Sequence, residues 1–482
     1  MSAGKVVREN PARSDEVVGS VAAADAGAVD ATVRRAGLAQ RSWARRSAED
    51  RCAALAAAAE ALDAERAELG RLLARESGKV LADAQGEVGF AATVLRWYAA
   101  NAPALLRDRE IDDASGRLLR RRVPYGVTAA ITPWNAPVLL ALTKIAPALA
   151  AGNAVVVKPS PLSPLAVDRA VGLLGEHIPE GLLGVVHGHA EPTLALAGHR
   201  DVRKVAFTGG EAAACAVAAA SAGALSPTTL ELGGNDPVLL LPDADLSDAA
   251  MDRLVMASFA TSGQVCMAAK RVYAPRARLD EIRHAYQAAA ARVLRIGDPL
   301  APGVTLGPVV TAAARDRVDA LVQDARTRGA RVLELGSVSA ETDLARGYFV
   351  RPTLLLDLDD DAPAVAEEQF GPTVPLLAYE DEDEAVARAN ASDLGLGASV
   401  WSADEDRAFA VAARLEAGFV FVNTHNRTGM SLRAPFGGVK RSGHGREYGD
   451  EGLAEYVQTC VVHAPAAFRP GGSGSPPTAY PA

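Results

Sequence analysis

The chain has 482 residues, of which 49% are hydrophobic and 23% charged, and its formal net charge is −9. That length and apolar content can bury the cores of two or three domains. The acidic balance is repelled by nucleic acid and by anionic membranes, so neither is expected as a partner.

The four cysteines, Cys52, Cys215, Cys266 and Cys460, lie far apart, and no pair has metal-ligand spacing. No metal and no disulfide framework are expected, and the cytoplasm suits such a chain. The first ten residues are polar and carry no apolar leader core. The longest apolar run, 138–151, contains Lys144 and Pro147 and is short for a membrane span.

In chain order, apolar residues recur at three- and four-residue spacing from about Asp25 to Asn101, which predicts successive amphipathic helices. Ser47 followed by Asp50 reads as the start of one of them. The charged stretch 109–124 lacks helical period and reads as an exposed hairpin. Beyond it, short β-like runs over 127–131, 154–157, 183–186, 204–207 and 228–232 alternate with Ala-rich helices. A second βα series has strands at 238–241, 271–274, 331–335, 349–356 and 419–422. Alternation of this kind predicts parallel sheets in α/β domains, with ligands at the carboxyl ends of the strands. The last residues, 467–482, are rich in Pro, Gly and Ser and read as a disordered tail.

Three short segments carry chemistry. Cys266 follows Ser262-Gly263-Gln264-Val265, a Gly-containing loop that can expose a thiol and aim backbone N–H groups at it. A lone cysteine is more often packed and inert. Glu231 ends a predicted strand ahead of Gly233-Gly234, where a carboxylate can face a cleft and act as a general base. By itself it reads more readily as a solvated strand end. Asn135, in Thr132-Pro133-Trp134-Asn135-Ala136-Pro137, offers an amide donor for a developing oxyanion, or is simply a turn former. Together they are nucleophile, base and oxyanion donor, the parts of covalent acyl chemistry.

With these segments the chain resembles the aldehyde dehydrogenase superfamily over about 28–462. The resemblance rests also on Gly152-Asn153 through Lys158-Pro159-Ser160, Phe207-Thr208-Gly209, Glu368-Gln369-Phe370-Gly371-Pro372, Pro435-Phe436-Gly437-Gly438 and Ser442 through Glu447. It implies two parallel-sheet α/β domains with a β-hairpin oligomerisation arm. The implied divisions are 1–107 with 125–232 for the dinucleotide, 233–433 for catalysis, and 108–124 with 450–466 for the arm. It implies oxidation of a small-molecule aldehyde to an acid with NAD, NADP being the alternative, through a thioester on Cys266. Asn135 would hold the oxyanion and Glu231 would activate water. Lys158 and Ser160 would meet the adenine ribose, Glu368 the nicotinamide ribose, and Trp134, Gly209 and Phe370 would line the rest of the cofactor cleft. Lys144 matches a family lysine in that cleft. A homodimer or homotetramer is implied through pairing of the hairpin with a strand around 455–463.

The chain departs from the family pattern at several places. Pro161 stands where many members carry a Glu that favours NAD by repelling a 2′-phosphate. Gly210-Glu211 replaces a Ser and puts a carboxylate at a helix start, which is expected to weaken pyrophosphate binding there. Cys460 stands where a Lys is expected. Ala136 and Thr143, at positions often aromatic, predict a roomier pocket and a bulky or aromatic aldehyde. Two other functions are to be weighed: a CoA-acylating dehydrogenase, which Glu231 disfavours, and a non-catalytic protein with the same fold, which the trio disfavours.

Overall fold

The computed structural model describes residues 4–469. Its centre is two sheets. The first has six strands in the order Gly443–His444, Thr228–Glu231, Val202–Thr208, Val127–Ile131, Ala154–Lys158, Leu183–Val185. The five longer ones are mutually parallel, and only Gly443–His444 runs against its neighbour. These strands are buried on both faces and read as unbroken apolar runs, Val127–Ile131 and Ala154–Lys158 being buried at every residue. Helices pack over them. Trp43 is fully buried at the end of Ala26–Trp43, and its indole N–H donates to the Leu149 carbonyl at 2.9 Å, which pins that helix to Pro137–Ala151.

The predicted helical region resolves into Ala26–Trp43, Ala48–Ala64, Arg66–Ser77 and Leu81–Leu105. Ser47 caps the second of them, its hydroxyl accepting from the Asp50 N–H at 3.0 Å.

The second sheet has seven strands, ordered Arg331–Glu334, Thr353–Leu356, Thr373–Tyr379, Ala269–Pro275, Asp236–Leu240, Gly397–Trp401, Phe419–Val422. All pair in parallel except the first. Two of its inner strands, Thr373–Tyr379 and Gly397–Trp401, are absent from the sequence reading; Pro375 and Gly397 break the usual strand signal. The strand expected over 349–356 begins only at Thr353, because Pro352 has no N–H to give a ladder.

An N-terminal hairpin, Lys5–Asn10 with Arg13–Ala22, was also not legible, since its residues are mostly polar. A three-stranded sheet joins Arg109–Asp113, Gly116–Pro124 and Val457–Pro465, the last pairing with the second from Val457↔Pro124 to Pro465↔Gly116. After it, Ala466–Phe468 form a short 3-10 turn and the Arg469 guanidinium pairs with Asp112 at 2.7 Å. The remainder of the expected tail, 470–482, lies outside the described residues. Among the described residues no helix is long and apolar enough to cross a membrane.

Candidate active site

The parallel strands of the first sheet end in register, with Ile131 beside Lys158 and Phe207, and Thr208 beside Glu231. The loops that follow therefore gather Trp134, Asn135, Gly209 and Glu231 at one carboxyl edge. Cys266 reaches this edge from the second sheet by an unusual route. After helix Asp248–Phe259 the backbone passes through Thr261, Ser262 and Gly263 with φ of 55°, 56° and 70°. Left-handed backbone costs a non-glycine residue about 1–2 kcal/mol. The turn is held by bonds from outside it: the Ser262 hydroxyl donates to the Gly307 carbonyl at 2.7 Å, and the Val310 N–H donates to Gln264 Oε1 at 2.9 Å.

Cys266 is half-buried and sits where two cavities meet. The larger, of about 420 Å³, is lined by Asn135, Glu231 and Cys266 and walled by Phe90, Leu139, Leu140, Met267, Met430 and Phe436. The smaller, of about 220 Å³, shares the same three residues and is completed by Trp134, Thr208, Gly209, Gly210, Glu368 and Phe370. The expectation for Thr143 fails. It is buried with its hydroxyl on the Leu140 carbonyl at 3.1 Å and does not line the cavity, because the helix turns it inward. Ala136 does line it.

Glu231 is buried, and neither carboxylate oxygen has a hydrogen-bond partner among the described residues. Burial, reinforced by the charge of Glu447, pushes its carboxyl up to about 8. Burial, then the neighbouring Glu231 carboxylate, pushes the Cys266 thiol well above its ordinary range. The Asn135 amide donates to the Gln264 carbonyl at 3.0 Å, which holds it beside the Cys266 loop and leaves it a second hydrogen.

Lys144, matched by resemblance to a cleft lysine, gains partners that the sequence does not show, and Glu87 and Lys79 were not legible in it at all. Lys144 is fully buried; its ammonium donates to Thr208 Oγ1 at 2.7 Å and to Glu447 Oε1 at 2.6 Å. Glu447 comes from 303 positions away and has its other oxygen unpartnered. Glu87 accepts from the Val138 N–H at 2.9 Å and the Leu139 N–H at 3.2 Å, capping from a neighbouring helix the one that follows Asn135. Lys79 pairs with Glu87 at that cap. Each partner is distant in sequence, so no local pattern signals it.

The smaller cavity fits a dinucleotide's nicotinamide end. A Cβ at Gly233 would collide with the Glu368 carboxylate, and one at Gly209 would lie 2.7 Å from the Phe207 ring, whereas Gly210 opens on free space at the start of helix Glu211–Gly223. The Glu211 carboxylate, expected to repel phosphate there, is instead paired with the Arg441 guanidinium, which offsets its charge. Trp134 and Phe370 meet edge to face at 5.5 Å. Glu368 accepts from the Gly234 N–H at 3.1 Å, and burial pushes its carboxyl up to about 7. Lys158 is 5% exposed at its strand end, and burial pushes its ammonium down to about 8. The Ser160 hydroxyl accepts from the Leu162 N–H at 3.2 Å and keeps its own proton to give.

The family model for the aldehyde dehydrogenase family matches residues 2–462. A geranial dehydrogenase from Castellaniella defragrans is 40% identical over 459 residues, 94% of each chain. Among solved structures, aldehyde dehydrogenase C of Pseudomonas syringae, crystallised as a cysteine variant with NAD+ and octanal, is 36% identical with a TM-score of 0.89, covering 96% of this chain and 94% of that one. An aldehyde dehydrogenase from Brucella melitensis is 34% identical with a TM-score of 0.89 over the same shares. A family match over nearly the whole length, on a fold that brings thiol, carboxylate and amide to one point between two cavities, leaves one conclusion: the chain belongs to the aldehyde dehydrogenase family and is an NAD(P)-dependent aldehyde dehydrogenase.

Proposed function

We propose that the protein oxidises a bulky, uncharged aldehyde to the carboxylic acid through a thioester on Cys266. The observation that carries this reading is the position of Cys266, open to a largely apolar cavity on one side and to the cofactor-shaped cavity on the other. The Cys266 thiol releases its proton to water as its sulfur adds to the carbonyl carbon, and the Asn135 amide donates to the oxygen as it becomes an oxyanion. When bound, the dinucleotide supplies the hydride acceptor. Glu231, whose oxygens are unpartnered, then takes a proton from water as the water oxygen attacks the thioester carbon. The C–S bond breaks, the proton on Glu231 passes to the departing sulfur, and the acid and the Cys266 thiol are released. Lys144 and Glu447, adjoining Glu231, give the proton a buried polar neighbourhood to enter.

In this reading the first sheet docks the cofactor: Lys158 and Ser160 hold the adenine ribose, Gly209 and Gly210 the pyrophosphate, Glu368 the nicotinamide ribose, with Trp134 and Phe370 beside the ring. The second sheet carries the nucleophile. Among the charged side chains lining the larger cavity, Arg427 pairs with Asp83 at 2.8 Å and Lys79 with Glu87. Both cations lining the cavity are thus paired and its other charged groups are the carboxylates Glu231 and Glu447, so nothing there attracts the terminal carboxylate of a charged aldehyde; an apolar terpenoid, long aliphatic or aromatic aldehyde fits the cavity, in keeping with the geranial and octanal named for two relatives. A panel of aldehydes, followed by the absorbance of reduced cofactor with NAD+ and with NADP+, tests this. Apolar aldehydes should exceed semialdehydes with a terminal carboxylate in kcat/KM by about a hundredfold, some 3 kcal/mol. The acid should form at the same rate with and without CoA. Equal use of charged and apolar aldehydes would refute the assignment of substrate class. Pro161 can neither accept from the 2′-hydroxyl nor repel a 2′-phosphate, so both cofactors should work, with a ratio below about a thousandfold, or 4 kcal/mol.

The arm is the proposed site of self-association. Val457–Pro465 lies at the edge of its sheet, with Val461 and Val462 54% and 57% exposed. Val461→Lys should turn a dimer or tetramer into a smaller species by light scattering; an unchanged mass would place the contact elsewhere. The free cysteines fit a reducing cytoplasm.

A further inference from the structure

Lys270 is 1% exposed at the start of strand Ala269–Pro275, just beyond Cys266. Its ammonium donates to the Gly371 carbonyl at 2.6 Å, its only hydrogen-bond partner among the described residues. Against both packs the left-handed turn that leads to Cys266: a Cβ built on Gly263 would stand 2.7 Å from Lys270 Nζ and would collide with the Gly371 carbonyl. Gly371 closes the 368–371 loop, which carries both Glu368 and Phe370. That loop is strained, with Phe370 at φ 47°, and needs anchors. Gln369 supplies one by donating to the Ala364 carbonyl at 2.5 Å, and Arg317 supplies another from the rim, to the Glu368 carbonyl at 2.7 Å. Lys270 holds the loop from inside, at the point where the Gly371 carbonyl meets the nucleophile's turn. An ammonium buried for one carbonyl is costly where an apolar side chain would fill the space. Burial pushes the Lys270 ammonium down to about 7, and what works against that loss of charge is Glu368, the carboxylate on the loop it holds.

We propose that Lys270 is a positioning residue for the cofactor, fixing the 368–371 loop against the Gly263 turn and thereby setting affinity for the dinucleotide. This rests on the reading above that Glu368 meets the nicotinamide ribose. The test is calorimetric Kd for NAD+, with separate KM values for NAD+ and aldehyde, in Lys270→Met, Lys270→Gln and Lys270→Arg, beside Glu368→Gln. Met and Gln, which remove the ammonium, should raise Kd and KM for NAD+ about tenfold while aldehyde KM stays within about twofold. Arg, which restores a cationic donor, should bring Kd back toward the wild-type value. A folded Met or Gln variant binding NAD+ within twofold of wild type would overturn the proposal. So would equal losses for NAD+ and aldehyde, or variants that fail to fold, since either assigns Lys270 to stability alone. If Glu368→Gln weakens NAD+ binding and the Lys270 variants do not, only Lys270's role falls. If none of them matters, the ribose assignment falls as well.

Discussion

Cys266→Ala should lose at least about a thousandfold in kcat, while melting temperature and affinity for NAD+ stay close to wild type. No other cysteine can replace it: Cys52 is buried under the helices, and Cys215 and Cys460 are exposed on elements outside the cavities. The substitution removes one sulfur from a half-buried position facing open space, so little packing is lost. The turn at Thr261 to Gly263 is held by Ser262 and Gln264, not by the thiol. Folding should therefore survive and the chemistry should not. Steady-state rates with the best aldehyde, together with thermal melting and NAD+ calorimetry, check this. Turnover above about one-hundredth of wild type in a fully folded variant would remove the thioester from the mechanism. In the protein without cofactor, burial and the Glu231 carboxylate both disfavour the thiolate. Alkylation of Cys266 by iodoacetamide should accordingly be slow at neutral pH and quicken as pH rises.

What could be read from the sequence follows the range of the interactions. The inner strands of the first sheet are legible because burial on both faces writes them as short apolar runs, Val127–Ile131 being the clearest. Asn135, Glu231 and Cys266 are legible because each has a local signature: a Pro-stiffened loop after a strand, a strand end before two glycines, a Gly-containing turn before a thiol. The supporting charges are not. Lys144 is placed in the cleft only by resemblance; its own surroundings show an interruption in an apolar helix, and its partner Glu447 comes from the far end of the chain. Glu87 looks like any helical glutamate until the N-terminus of another helix is placed over it. Glu211 illustrates the opposite error: local reasoning sees a carboxylate at a helix start and misses Arg441, which only the fold brings there. Thr143 fails for a similar reason, because the rotation of a helix about its axis decides which residue faces a cavity, and a helix apolar all round does not declare its rotation.

Glu231→Gln should separate the two halves of the reaction. The amide keeps the shape of the carboxylate but cannot accept a proton from water, so the thioester should form and then persist. Mixing variant, NAD+ and aldehyde should give a burst of reduced cofactor approaching one equivalent per site, followed by a steady state slower by about a hundredfold or more. The pH profile gives a second, independent check. Burial and the charge of Glu447 raise the Glu231 carboxyl to about 8, so the base is mostly protonated at neutral pH and becomes competent as pH rises. Wild-type hydrolysis should therefore climb with pH and level off above about 8, and fall about tenfold per pH unit well below it. The glutamine variant, with nothing to titrate there, should lose that limb while keeping whatever dependence the Cys266 thiol imposes. The sign is fixed by the cause: a carboxyl raised by burial loses its function as a base toward acid. A burst that disappears together with the steady-state rate would mean that Glu231 must first receive the Cys266 proton, making it a partner in thioester formation as well as in its hydrolysis.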